Sequence, residues 1–209
     1  MKRLTLLIAI VLIATACGSD SDSSDTTVAD STTTTTVATT TTEDADAGDT
    51  TTTTGAATAQ FVISRVVFGD DGYVSVTNVG GESGNLEGWQ LCQRPAYFGI
   101  GSVEVAAGET VHFTTGDPGG NLSGQVIDSG GRFSTLNADN GEIGLYIDSS
   151  FGSAASIRSY VEWGSAGHGR SSVAVEAGIW DGGFVAAGGA PGIAATVLAP
   201  SSVGDWATS

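Results

Sequence analysis

The segment Gly164-Ser165-Ala166-Gly167-His168-Gly169-Arg170-Ser171-Ser172 brings His168, Arg170 and the serines Ser171 and Ser172 together on a glycine-rich loop. These are the residue types with which a hydrolase supplies a base, an anion-binding cation and a nucleophile. A nucleophilic serine also needs a base and an orienting acid at hydrogen-bond distance, and the spacing alone does not supply that geometry. Glu162 is the carboxylate that would have to stand beside His168 in a pocket for the loop to work as a catalyst. No catalytic residue is therefore assigned, and the reading as a non-enzyme leads. An envelope hydrolase or enzyme-associated protein using the 164–172 loop is the alternative.

The other chemistry-bearing side chains are scattered. His112 lies in Val111-His112-Phe113, where strand alternation puts it opposite its apolar neighbours. Cys92, in Trp89-Gln90-Leu91-Cys92, reads as a buried small hydrophobe without chemistry. Two distant histidines and one buried thiol do not make a zinc site. The oxygen-rich steps Asp70-Asp71 and Asp139-Asn140 lack the ligand spacing of a calcium loop and read as solvated turns. No metal, no cofactor and no assigned ligand-binding residue follow from these patterns.

Charge narrows the partner classes. The formal net charge is −16, and Lys occurs only at Lys2. From Ala59 onward five basic residues (Arg65, Arg94, Arg132, Arg158, Arg170) face fifteen acidic ones, so there is no patch to neutralise phosphates and nucleic acid is excluded as a partner. The 31 glycines, about twice the usual share, point to a turn-rich extracellular protein.

The first residues carry an address. Met1-Lys2-Arg3 is basic, Leu4 to Ile13 is apolar, and Ala14-Thr15-Ala16 is a small-residue site directly before Cys17. The apolar stretch is too short for a hydrocarbon core about 30 Å thick. The segment resembles a bacterial lipoprotein signal with Ala14-Thr15-Ala16-Cys17 in the place of the lipobox, departing from the family at Ala14, where Leu is commoner. That resemblance implies cleavage before Cys17, diacylglycerol on its thiol and further acylation of its amine; the other reading is an ordinary secretory signal cut at Ala16. Two acyl chains hold a protein firmly where one is marginal. The expected location is the outer face of the cell membrane, with the membrane itself as a partner through the lipid on Cys17.

Residues 1–16 thus form the signal peptide and 17–58 the lipidated cysteine and its linker. From Gly18 to Thr58 the chain is nearly all Thr, Ser, Asp, Glu, Ala and Gly, with eight acidic residues and no basic ones. Such a segment cannot bury a core and reads as a disordered spacer, reaching at most about 140 Å when stretched. Its threonines also leave O-linked sugar open.

After Ala59 short apolar runs alternate with Gly, Asp and Asn, which predicts an all-β domain. Expected strands are Phe61 to Phe68, Tyr73 to Val79, Trp89 to Arg94, Thr110 to Thr115, Ile143 to Asp148 and Ile157 to Trp163. Hairpin turns are expected at Gly69-Asp70-Asp71-Gly72 and Asp139-Asn140-Gly141, whose Asp-Gly and Asn-Gly steps supply positive φ. Val74 and Val76 should point at the core, and Trp89, Trp163 and Trp180 should fill much of it.

The run Tyr73-Val74-Ser75-Val76-Thr77-Asn78, then Leu86-Glu87-Gly88-Trp89-Gln90-Leu91, then Ala107-Gly108-Glu109-Thr110-Val111 is similar to the lamin-tail domain, an immunoglobulin-like β-sandwich. Tyr160-Val161-Glu162-Trp163-Gly164 resembles the late strand of bacterial members. In that likeness Gly88 makes a tight corner and Trp89 plugs the space between sheets. The resemblance implies the fold over 59–186 and an interaction role without catalytic residues, and it leaves 187–209 as a C-terminal extension of uncertain structure. The expected function is therefore a surface-displayed binding module for a surface protein or glycan.

Overall fold

The computed structural model describes residues 58–116, 122–133 and 135–209. The expected signal peptide, Cys17 and all of the linker but Thr58 lie outside the described residues. Two β-sheets carry the fold. The first has six strands: β1 (Phe61–Val67), β2 (Tyr73–Asn78), β7 (Thr110–Thr114), β8 (Gln125–Asp128), β11 (Gly192–Ala195) and β12 (Trp206–Thr208), in the order β12-β11-β1-β2-β7-β8. The second has four: β4 (Gln90–Gln93), β5 (Ala96–Gly99), β9 (Gly141–Tyr146) and β10 (Ile157–Trp163), in the order β10-β9-β4-β5. A short ribbon, β3 (Gly84–Asn85) with β6 (Glu104–Val105), and one helix, α1 (Ser171–Glu176), complete the described elements beside a 3-10 turn at Val203–Asp205. The pairing is antiparallel except between β7 and β8.

Alternation decides which face of each strand is dry. Val74 and Val76 of β2 and Val111 and Phe113 of β7 are fully buried, while Ser75 and His112 pair on the opposite face. The inner faces of both sheets meet in one core: Phe98 of β5 lies 5.9 Å from Phe113, and Phe68 lies 5.1 Å from Trp163. The main-chain N–H of Ile63 also donates across the gap to Ser159 Oγ at 2.9 Å. Trp163 is completely buried, as expected, whereas Trp89 is only half-buried and stands edge-on to Phe61 at 5.1 Å. It forms a wall at the seam of the sheets instead of a plug.

Asn78 ends β2 by satisfying the chain around it. Its Oδ1 accepts the N–H groups of Gln60 and Gly80, and its Nδ2 donates to the carbonyls of Glu82 and Val105. All four bonds close inside a residue with no exposed surface, which is what a buried amide requires.

The expected turns differ in their chemistry. The β1–β2 connection takes its positive φ at Gly69 (+95°), the glycine that opens the turn, and Gly72 bonds back to the Gly69 carbonyl. Asp139-Asn140-Gly141 is no hairpin turn: it feeds β9, whose strand neighbours are β10 and β4. Gly141 is needed there because a Cβ would strike the Trp163 indole, and Asn140 donates to Ser165 Oγ. The segment 187–209 is part of the first sheet, since β11 pairs with β1 and β12 with β11, and Trp206 is buried.

Gly88 and Gly164 share positive φ, +83° and +79°, but differ in surroundings. A Cβ on Gly88 meets nothing, while one on Gly164 would collide with the Asp139 carbonyl. Gly88→Ala should therefore lose only the left-handed strain of about 1–2 kcal/mol, and Gly164→Ala about 2–5 kcal/mol because overpacking adds to the same strain. Urea unfolding of the two variants measures the difference, and equal losses would contradict it.

Candidate functional site

The outer face of the second sheet, away from the shared core, is built from alternate residues of four strands. Tyr160 and Glu162 lie on β10, Glu142 and Tyr146 on β9, Cys92 on β4 and Tyr97 on β5, with Glu142 directly opposite Glu162 and Cys92 opposite Tyr97. Gly144, between Glu142 and Tyr146, leaves the space over which the Tyr146 ring lies, since a Cβ there would meet the ring at 2.8 Å.

Two carboxylates facing each other across a strand pair repel, and both are buried, Glu162 with 0% and Glu142 with 4% exposure. Burial at that depth demands hydrogen-bond donors, and the 164–183 segment brings them. Ser171 Oγ donates to Glu162 Oε1 at 2.7 Å and Trp180 Nε1 at 3.1 Å. The main-chain N–H of His168 reaches Glu162 Oε2 at 3.0 Å, and that of Arg170 reaches Glu142 Oε2 at 2.8 Å. Tyr160 stands between the two acids, 2.8 Å from Glu142 and 3.3 Å from Glu162, and its single proton serves the nearer. Burial, followed by the two adjacent carboxylates, pushes the Tyr160 phenol far up and keeps it a donor.

Arg170 closes the same layer from above. Its Nη2 donates to Tyr97 Oη at 3.2 Å, and its guanidinium lies 5.7 Å from the centre of the Phe151 ring. Phe151 in turn packs on Tyr97 and Tyr146. Cys92 is completely buried as expected, but on this outer face beneath Arg170; burial pushes its thiol up against the opposing hydrogen bond from the guanidinium.

The loop singled out from sequence is thus held by its backbone. Glu162 does stand beside His168, yet it takes the amide N–H, while the imidazole Nε2 is 3.5 Å from Ser165 Oγ. Ser171 is buried on Glu162 and Ser172 is exposed. Sequence reasoning missed Glu142 and Tyr160, although an acid inside an otherwise apolar strand, as in Gly141-Glu142-Ile143-Gly144-Leu145, was a legible sign of a buried partner.

His112 has a defined neighbourhood of its own. Its Nδ1 is 2.9 Å from Ser75 Oγ, and its Nε2 is 3.2 Å from the Ser123 carbonyl. Facing a carbonyl, Nε2 carries the proton in the neutral ring, so Nδ1 accepts from the Ser75 hydroxyl. Ser75 is 2% exposed, which makes the pair a fastening of the β2–β7 ladder. Among the described residues no group of three or more His, Cys, Asp or Glu side chains is placed to hold a metal ion. Asp70, Asp71, Asp139 and Asn140 are exposed. No protein-family model matches the chain, and no curated protein matches its sequence.

Glu162→Ala removes the acceptor from several buried donors at once and should destabilise the domain by about 3–5 kcal/mol, with Glu162→Gln falling between it and the parent in urea unfolding. The phenol predicts the alkaline limb. An unfolded tyrosine releases its proton near pH 10 while native Tyr160 retains it, so its contribution to stability is complete below that range and is lost as the pH rises through it. The urea midpoint should fall above about pH 10, and less steeply in Tyr160→Phe.

Proposed function

We propose that this chain is an exported, lipid-anchored protein whose β domain is a non-enzymatic binding module on the outer face of the cell membrane. The observation that carries the reading is Cys17 directly after Ala14-Thr15-Ala16 and an apolar stretch of signal-peptide length, followed by a polar spacer. A spacer of that length and charge sets a folded domain well away from the lipid surface. The partner is a surface protein or glycan.

The domain is read as an immunoglobulin-like sandwich of the lamin-tail type. Support comes from two antiparallel-rich sheets sharing a core, the positive φ of Gly88 at the Leu-x-Gly-Trp corner, and Asn78 closing β2. A hydrolase on the 164–172 loop would need Glu162 to orient the His168 ring. That carboxylate instead accepts Ser171, Trp180 and the His168 amide, which favours a loop held for shape.

Two measurements test the proposal. The Cys17→Ala chain should leave the membrane fraction on salt washing, and retention would remove the lipid anchor. The same chain, purified and tagged, should bind envelope fractions of the source cell saturably, with protease or glycosidase pretreatment identifying the partner; absence of retention counts against the binding module.

A further inference from the structure

At the seam of the two sheets, Thr58, Ala59, Gln60, Phe61, Trp89 and Arg158 line a cleft of about 370 Å³, a volume that takes a small molecule. Three local features build it. Gly88, with φ +83°, turns the chain so that Trp89 forms one wall, and Phe61 fixes the indole edge-on at 5.1 Å. The register of β9 against β10 slips between Ile157 and Ser159, which makes Arg158 the bulged residue. Such bulges re-aim a side chain. Arg158 Nη1 then donates to the carbonyls of Ala155 at 2.7 Å and Ile157 at 3.0 Å, clamping the guanidinium and leaving its other nitrogens to face the cleft or solvent.

The charge of this site runs against that of the protein. In a domain with fifteen acidic residues, Arg158 is the only charged side chain lining the cleft among the described residues. The nearby Asp148 carboxylate accepts the Ser150 amide at 2.7 Å, and that bond, ahead of the smaller influence of Arg158, holds its pKa below the ordinary aspartate value. Gln60 and Thr58 are exposed.

We infer that this cleft binds an acidic saccharide, its carboxylate on Arg158, its ring against Trp89 and its hydroxyls toward Gln60 and Thr58. The indole offers an apolar wall suited to the C–H face of a sugar ring, and a preorganised guanidinium matches a carboxylate with little ordering cost. Polar groups on the remaining wall favour a hydroxylated ring over a flat aromatic acid. The inference rests on the binding-module reading and names the chemistry of its partner.

The test is titration of the purified full-length chain, as the Cys17→Ala variant with 15N-labelled indoles, with D-glucuronate as the probe. D-Glucuronate should shift the Trp89 indole saturably. D-Glucose, lacking the carboxylate, and acetate, lacking the ring, should bind at least about tenfold more weakly, the scale of one lost hydrogen bond to a charged group. Arg158→Gln should weaken D-glucuronate by a similar factor while the Trp163 and Trp180 indoles keep their native positions. Where Arg158→Gln disturbs those indoles, Arg158→Lys, which keeps the charge but not the carbonyl clamp, should still bind more weakly. No saturable shift, acetate or benzoate binding as tightly as D-glucuronate, or undiminished binding by folded Arg158 variants overturns the site. A chain retained on envelope fractions that fails these titrations keeps the binding-module reading and loses this cleft.

Discussion

Two acidic side chains facing each other in a dry layer are the constraint on which the second half of the domain is organised. Glu142 and Glu162 sit opposite one another on β9 and β10 with almost no solvent contact. Water cannot solvate them, so donors must come from the chain itself. The segment after β10 supplies them in order: the His168 amide, the Arg170 amide, the Ser171 hydroxyl and the Trp180 indole. A six-residue helix with no side-chain cap at its start and no charge favourable to its dipole gains little from its own backbone. Its placement on β10 comes from these carboxylate bonds and from the burial of Ala174 and Trp180.

The arrangement divides the second sheet chemically. Its inner face is conventional, with Leu91, Leu145, Ile143 and Val161 completely buried in the shared core. Its outer face is a layer of phenols, carboxylates, a thiol and an arginine, closed by Phe151, α1 and Trp180. Buried polar layers of this kind are stable only when nearly every group has a partner. The acids achieve this, while the Tyr146 hydroxyl and Arg170 Nε remain without hydrogen-bond partners. The raised phenol of Tyr160 and the raised thiol of Cys92 follow from the same desolvation.

This division bears on function. A glycine-rich loop containing His, Arg and Ser has the composition of a catalytic loop, but its amides are fastened to buried carboxylates and Arg170 is stacked over Phe151. The seam between the sheets has a different character. There a bulge turns Arg158 outward, a left-handed glycine sets Trp89, and both groups border open space. Rigid strands with an aromatic and a clamped cation at their ends hold both groups in place, which under the proposed reading lowers the ordering cost of binding.

Much of the fold was legible from local rules. Short apolar runs bounded by Gly, Asp and Asn marked β1, β2, β4, β7, β9 and β10 within a residue or two, and alternation in β2 also named Val74 and Val76 as core residues. The short strands β3, β5, β6, β8, β11 and β12 were not legible, since pieces of two to four residues carry too little periodicity and form only because a neighbouring strand offers its edge. The same holds for the roles of Gly141, which makes room for Trp163, and of Gly69, which takes the positive turn angle expected at the Asp71-Gly72 step. His168, Ser171 and Glu162 were visible as a set in the sequence. Sequence determined their types and the order in which they arrive; only the tertiary structure decided that Glu162 would hold the His168 amide instead of its ring, and that Arg158 and Trp89 would line one cleft. The reason is that hydrogen-bond partners and cleft walls are fixed by cross-strand register and loop return, which are set by the packing of residues distant in the chain.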